Sequence, residues 1–252
     1  MAPSYATYPS LNGKAVVVTG GASGIGAEIV RSFVAQKAQV GFIDRNAEAA
    51  GALLDEVKGK ALFKNCDLRD IPALQSALAD IAGVTGPAHV LVNNAARDDR
   101  HDWRDVNPHY WDERMHTNLR HMFFAIQAVA PGMIEAGGGA VVNIGSNSWH
   151  EMSGGFPAYA TAKAGVEGLT RTMARDLGPH RIRVNTVIPG WIMTRRQLDL
   201  WMTPQKEAAQ KAAQCLPDLI DPAAVARMVL FLASDDASAC TAGAFPVTAG
   251  SM

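Results

Sequence analysis

The sequence predicts a single α/β domain, a Rossmann-type doubly wound parallel sheet of about seven strands with helices on both faces. Three observations lead there. Short β-branched runs alternate with longer amphipathic stretches along the chain. Several runs are almost wholly apolar, as in parallel strands covered on both sides. The first run passes straight into a glycine-rich turn and then a helical pattern, the opening of a dinucleotide-binding βαβ unit.

In order, the strand candidates are Ala15–Thr19, Val40–Asp44, Ala61–Asp67, His89–Asn93, Ala140–Ile144, Arg183–Ile188 and Ala244–Thr248. Helical periodicity fills the gaps at Ile25–Gln36, Ala47–Val57, Ile71–Ile81, Tyr110–Glu135, Ala158–Leu177 and Pro222–Ala233. The fourth of these breaks near Asn118. Asp221-Pro222 is a helix start, because proline's fixed φ suits the first helical turn. With right-handed crossovers this alternation winds a sheet on both faces. No repeat, low-complexity tract or linker divides residues 1–252, so one domain is expected. The stretch 191–217 follows a strand but is long, charged and rich in Trp and Met. It reads as a helical flap over a substrate site, with a plain surface insert as the alternative.

Bulk properties exclude several functions. With 252 residues and 48% apolar side chains the chain fills a large core. A net charge of −1 leaves no clustered positive field for nucleic acid or an anionic membrane. No apolar run of 18 residues is present, so no membrane span is expected. The first twelve residues lack the apolar core of a signal peptide. Cys66, Cys215 and Cys240 show no CxxC or pairing pattern, which suits reduced thiols in the cytoplasm. The seven histidines have no ligand spacing, so no metal is expected.

The cofactor end is read from strand termini. In Thr19-Gly20-Gly21-Ala22-Ser23-Gly24-Ile25-Gly26 the glycines let the backbone turn sharply and approach a pyrophosphate at a helix N-terminus. The spacing is G-x-x-x-G-x-G, and a glycine turn alone is a weak signal; strand before and helix after strengthen it. Asp44 ends the second strand, where a carboxylate accepts from ribose hydroxyls and repels a 2′-phosphate, so NAD is the expected cofactor. Read alone, Asp44 is also a turn or cap aspartate. Asp67 and Leu68 follow the third strand and Asn94-Ala95 the fourth, at the strand ends where open α/β sheets place ligands.

The catalytic end rests on Tyr159 and Lys163, four residues apart on one helical face. A tyrosine near pKa 10 needs a neighbouring cation to act as a base. Lowering it by about three units takes roughly 4 kcal/mol, within reach of Lys163 plus a nicotinamide cation. Ser146, just past a strand end, is placed to hydrogen-bond the reacting oxygen. Asn118, at the helix break, is a candidate to hold a water that links Lys163 to solvent. In isolation Tyr-x-x-x-Lys is an ordinary exposed pair; the glycine turn and Ser146 upstream make it a catalytic one.

Thr19–Gly26, Asn93–Ala95, Asn118, Ser146, Tyr159, Lys163 and Pro189-Gly190 with Thr194 together resemble the short-chain dehydrogenase/reductase family, from Lys14 onward. The resemblance implies Tyr159 as acid/base, Ser146 orienting substrate, and Lys163 tuning Tyr159 and binding ribose. It also implies Asn118 in a proton relay, and Pro189, Gly190, Ile192 and Thr194 at the nicotinamide side. Ala96 departs from the family's usual glycine, and the Val247–Met252 ending is a loose version of the family's, which puts its interface role in doubt.

Within the family, Arg97–His101, Ser146–His150, Ala212–Leu216 and Leu230–Ser238 are similar to bacterial aldose 1-dehydrogenases. A polyol wants hydrogen-bonding side chains and an aromatic face against its C–H groups. Asn147, Trp149, His150 and Trp191 are the candidates, with Ser146 and Tyr159 at the reacting carbon; loop packing is the alternative for each. The expectation is oxidation of a neutral aldopentose such as D-xylose or L-arabinose at C1 to the lactone. Two other readings stay open. One is a dehydrogenase of an acidic sugar derivative, or of another alcohol or ketone, with Arg97, Arg100, Arg195 or Arg196 clamping a carboxylate. The other is a non-catalytic NAD-sensing protein. Apolar side chains Met122, Phe123, Phe124 and Ile126 suggest a helix-paired homodimer or homotetramer.

Overall fold

The computed structural model describes residues 5–251; readings that touch residues 1–4 and 252 lie outside the described residues. Seven parallel strands form one sheet: β1 Ala15–Thr19, β2 Gln39–Asp44, β3 Ala61–Asn65, β4 Val90–Asn93, β5 Gly139–Ile144, β6 Ile182–Pro189 and β7 Ala244–Val247. Their order is β3-β2-β1-β4-β5-β6-β7. Thr19 pairs with Ile43 on one side and Asn93 on the other, so the strand order reverses beside β1. That switch point opens a crevice at the carboxyl ends of the strands.

The helices are α1 Gly24–Ala35, α2 Ala47–Glu56, α3 Ile71–Thr85, α4 Pro108–Met115, α5 His121–Glu135, α6 Pro157–Leu177, α7 Arg195–Leu200, α8 Pro204–Ala213 and α9 Pro222–Ala233. Strand pleating sends alternate residues to opposite faces. Val16 and Val18 bury against Ile29, Val30 and Phe33 of α1 and Val225 and Val229 of α9. Val17 faces the other way, onto Leu74, Leu78 and Ile81 of α3 and Ile126 of α5.

The element boundaries depart from expectation in places with clear local causes. β3 ends at Asn65, because Asp67 turns its carboxylate onto the Arg69 backbone N–H (3.0 Å) and leaves the strand. α3 continues past Ile81 until Gly86, whose φ of +78° ends it. The expected break near Asn118 is a π-turn over His116–Arg120 between α4 and α5. The apolar quartet on α5 divides: Met122 and Ile126 are core, while Phe123 is exposed and Phe124 half-buried. Only part of that quartet is therefore available to a partner subunit.

Candidate active site

The glycine turn is built by contacts that allow no side chain. A Cβ on Gly26 would sit 1.9 Å from the Gly20 carbonyl oxygen, and one on Gly20 (φ +65°) 2.7 Å from the Ala95 Cα. The backbones of the β1 and β4 turns therefore touch. Asn94 holds them together: its side-chain amide donates to the carbonyls of Thr19 (3.2 Å) and Gly20 (2.9 Å), and its N–H donates to the Thr19 hydroxyl (3.1 Å). α1 begins at Gly24 with no side-chain cap, so its first backbone N–H groups face the crevice ready for an anion.

Beside this turn the Asp44 carboxylate accepts from the N–H groups of Ala22 and Asn46, each at 3.0 Å. The cap of α2 is Asn46, whose side chain accepts from Ala49, so Asp44 keeps acceptor capacity toward the crevice. Asp67 is held by Arg69, whose guanidinium hydrogen bonds keep the Asp67 carboxyl below the usual range.

α6 carries Tyr159 and Lys163 and is pinned to the sheet by a buried polar chain. The Asn93 amide donates to Asn143 Oδ1 (2.9 Å), the Asn143 amide donates to Thr170 Oγ1 (2.9 Å), and the Thr170 and Thr186 hydroxyls meet at 2.6 Å. This chain of buried hydrogen bonds ties β4, β5, α6 and β6 together, while Asn93 Oδ1 has no partner among the described residues. Lys163 is buried and donates from Nζ to the Ile144 carbonyl oxygen at the end of β5 (2.6 Å). Its Nζ lies 5.8 Å from the Tyr159 ring centroid. Ser146 is two residues past Ile144, and its hydroxyl donates to Ser148 Oγ (3.1 Å).

In the chain by itself these groups do not yet favour a phenolate. Burial pushes the Tyr159 hydroxyl up to about 12, with a hydrogen bond from Ser146 pulling down and the charge of Asp98 pushing further up. Burial also drives Lys163 down to about 7, partly offset by Asp98. Desolvation thus outweighs Lys163 in the chain by itself, which leaves the phenolate dependent on the second positive charge expected beside Lys163, the nicotinamide.

These residues meet in one cavity of about 760 Å³. It is lined by Gly20, Ser23, Ile25, Gly26, Asp44, Asp67, Leu68, Asn94, Ala95, Ser146, Asn147, Tyr159, Lys163, Pro189, Gly190, Trp191, Ile192 and Thr194. Gly24 is not in the lining; its backbone turn sits against the Thr194 side chain instead. Asn118 is fully buried; its Oδ1 accepts from the Arg97 N–H (2.7 Å) and its Nδ2 donates to the Arg114 carbonyl (2.9 Å). These two bonds anchor the loop after β4 to the helix break.

Trp149 and His150 stay out of the cavity. Their rings stack at 3.7 Å, and His150 Nε2 pairs with Glu167 of α6 at 2.9 Å, so both are occupied with each other and with the helix surface. Asn147 does face the cavity, while its amide donates to Glu151 (2.6 Å) and Ser251 (3.3 Å). The 191–217 stretch folds as α7 and α8 and brings Trp191, Arg196, Gln197 and Gln210 to the cavity. The geometry adds residues that the sequence did not single out, notably Glu151, Phe156 and Gln197, and brings Asp98 of the Arg97–His101 loop into the lining. Arg100 is among the sequence candidates and lies 3.9 Å over the Phe156 ring.

A dinucleotide-type sheet with a glycine turn at one end of a cavity and a serine, tyrosine and lysine at the other defines an oxidoreductase that works on a CH–OH group with a nicotinamide cofactor. The family model described as enoyl-(acyl carrier protein) reductase matches residues 20–251. The chain is 52% identical to D-xylose 1-dehydrogenase of Caulobacter vibrioides over 250 residues, covering 98% of this chain and 99% of that one. It is 43% identical to the Rhizobium meliloti protein named "Probable galactose dehydrogenase GalD", covering 96% of each. Among solved structures it is similar to 7α-hydroxysteroid dehydrogenase complexed with NADH and 7-oxo glycochenodeoxycholic acid, with a TM-score of 0.91, 31% identity and 96% of each chain covered. The chain belongs to the short-chain dehydrogenase/reductase family.

Proposed function

We propose that this protein is an NAD-dependent sugar dehydrogenase that oxidises the anomeric hydroxyl of a neutral aldopentose, D-xylose or L-arabinose, to the lactone. The observation that carries the reading is the likeness to D-xylose 1-dehydrogenase over essentially the whole chain. The donor set fits the cofactor. The α1 N-terminus with Gly20, Ser23, Gly24, Ile25 and Gly26 would hold the pyrophosphate, and Asp44 the adenosine ribose. Asp67, Leu68, Asn94 and Ala95 would flank the adenosine, and Pro189, Gly190, Ile192 and Thr194 the nicotinamide. Asp44 supports NAD over NADP, since a 2′-phosphate beside its carboxylate is repelled.

Bound nicotinamide supplies the hydride acceptor and a positive charge. Ser146 Oγ then orients the C1 oxygen, and Tyr159 Oη takes the C1 hydroxyl proton. Lys163 binds the adjacent ribose and, once charged, favours the phenolate.

The acidic-substrate reading loses support from the ion pairs. Arg97 pairs with Asp99 (2.6 Å), Arg196 with Asp99 (2.8 Å) and the exposed Arg195 with Asp199 (2.8 Å). Three of the four guanidiniums that would clamp a carboxylate are already engaged. The sensor reading has no use for a tuned tyrosine beside a buried lysine. We further propose a cytoplasmic homodimer or homotetramer, supported by the exposed Trp111, Phe123 and Ile134 on α4 and α5 and by three free cysteines. Among the described residues no helix is long and apolar enough to cross a membrane. The deciding assay is NADH formation with a panel of aldoses and sugar acids: turnover of pentoses supports the reading, and turnover of sugar acids alone overturns it.

A further inference from the structure

We propose that Asp98 is a substrate-binding residue that accepts hydrogen bonds from two adjacent sugar hydroxyls and is aimed by Gln197 of the flap. The inference rests on the neutral-sugar reading above and assigns the group that recognises the substrate away from its reacting carbon.

Asp98 stands between two anchored neighbours. The Arg97 N–H is fixed by Asn118 (2.7 Å), and Asp99 is gripped by Arg97 (2.6 Å), Arg114 (2.9 Å) and Arg196 (2.8 Å). The backbone on either side of Asp98 is therefore held in place, and Gln197 is left to aim its side chain. It lines the same cavity as Tyr159, Lys163 and Arg100. Its carboxylate is felt by all three, since its charge raises the proton affinity of each.

The carboxylate is underused. Its Oδ2 accepts from Gln197 Nε2 (2.7 Å), and Gln197 Oε1 in turn accepts from Trp191 Nε1 (2.8 Å). Arg196 Nε stands 3.5 Å from Oδ1, too far for a good hydrogen bond. A carboxylate offers about four acceptor positions, so most remain for a ligand. With the side chain only 22% exposed, water supplies few of them. Asp98 is also not needed to close the flap, because Asp99 and Arg196 already tie it to the loop.

A group that only accepts, partly dry and facing a reacting centre, selects a ligand rich in donors. Vicinal hydroxyls of a neutral sugar match it, whereas the carboxylate of a sugar acid is repelled. Arg100 lines the same cavity, lies 3.9 Å over the Phe156 ring and can only donate, which complements the acceptor role of Asp98.

The test is steady-state kinetics of wild type, Asp98→Asn and Gln197→Ala with D-xylose, L-arabinose and their monodeoxy analogues, with NADH affinity followed by fluorescence. Asp98→Asn is expected to raise the pentose KM about 10- to 100-fold, as for a lost hydrogen bond to a charged group, with kcat changed less than about threefold. NADH affinity should hold within about twofold. The wild-type penalty for removing either of two adjacent hydroxyls should nearly vanish in this variant, because those hydroxyls no longer meet a carboxylate. Gln197→Ala should raise KM less and erode the same two penalties. A KM within about twofold of wild type, or an equal rise for the parent sugar and every deoxy analogue, overturns the assignment. If Asp98→Asn also loses NADH affinity, Gln197→Ala decides: erosion of the same two penalties supports the assignment and a uniform loss overturns it. Wild-type enzyme that ignores every neutral pentose overturns the underlying reading instead.

Discussion

His121 links acid stability to the wall of the cofactor crevice. It is fully buried at the start of α5, and its Nε2–H donates to the Ala95 carbonyl oxygen at 3.1 Å. Burial, with the charge of Lys163 added, drives its pKa from 6.5 down to about 4. Above 6.5 folded and unfolded chains are both neutral here and stability is whole. Between 6.5 and 4 the unfolded chain takes up a proton that the folded chain refuses, so stability falls as pH falls; below 4 both are protonated. A shift of about 2.5 units corresponds to about 3 kcal/mol, of which about 2 kcal/mol is lost by pH 5. Urea unfolding of wild type and His121→Gln at fixed protein concentration between about pH 8 and pH 5 isolates this group, since other acid-sensitive residues are common to both. The free-energy gap between the two proteins should narrow by about 2 kcal/mol over that range. A gap that stays constant within about 0.5 kcal/mol would show that His121 is not held neutral, and would refute the argument.

Tyr159→Phe should lower kcat at least about 100-fold with NADH affinity nearly unchanged, read by turnover and fluorescence titration. Lys163→Met should impair both, and should move the rising limb of the kcat pH profile to higher pH, because the phenolate loses its cation. Asp44→Ala should shrink the ratio of kcat/KM for NAD over NADP by weakening the first and relieving repulsion of the second; an unchanged ratio counts against Asp44 as the ribose acceptor. Light scattering at micromolar concentration should give the mass of a dimer or tetramer, and a mass near 26.8 kDa would exclude the assembly proposed here.

The sheet was legible because its signals are local. Apolar β-branched runs, amphipathic spacing and glycines at a strand–helix turn depend on neighbours in sequence, so all seven strands and the helices around them could be read with only their ends shifted. Tyr159 and Lys163 were legible for the same reason, as one turn of a single helix, and Asp44 as the last residue of a strand. Direction and partnership over distance were not. Trp149 and His150 carry the right chemistry for a sugar, but His150 turns onto Glu167 and Trp149 stacks on His150, a choice made by the packing of the loop after β5 on α6. Asn118 marks the helix break, yet only the fold shows its amide closing on Arg97 and Arg114. Asp98 and Asp99 are adjacent aspartates of one loop and look interchangeable in sequence. Tertiary structure separates them, surrounding Asp99 with three guanidiniums and leaving Asp98 one amide, a longer contact with Arg196 (3.5 Å) and a share of the cavity. The physical reason is that a side chain's conformational preference follows from its neighbours in the chain, whereas its free acceptor capacity depends on what the rest of the fold brings within about 3 Å.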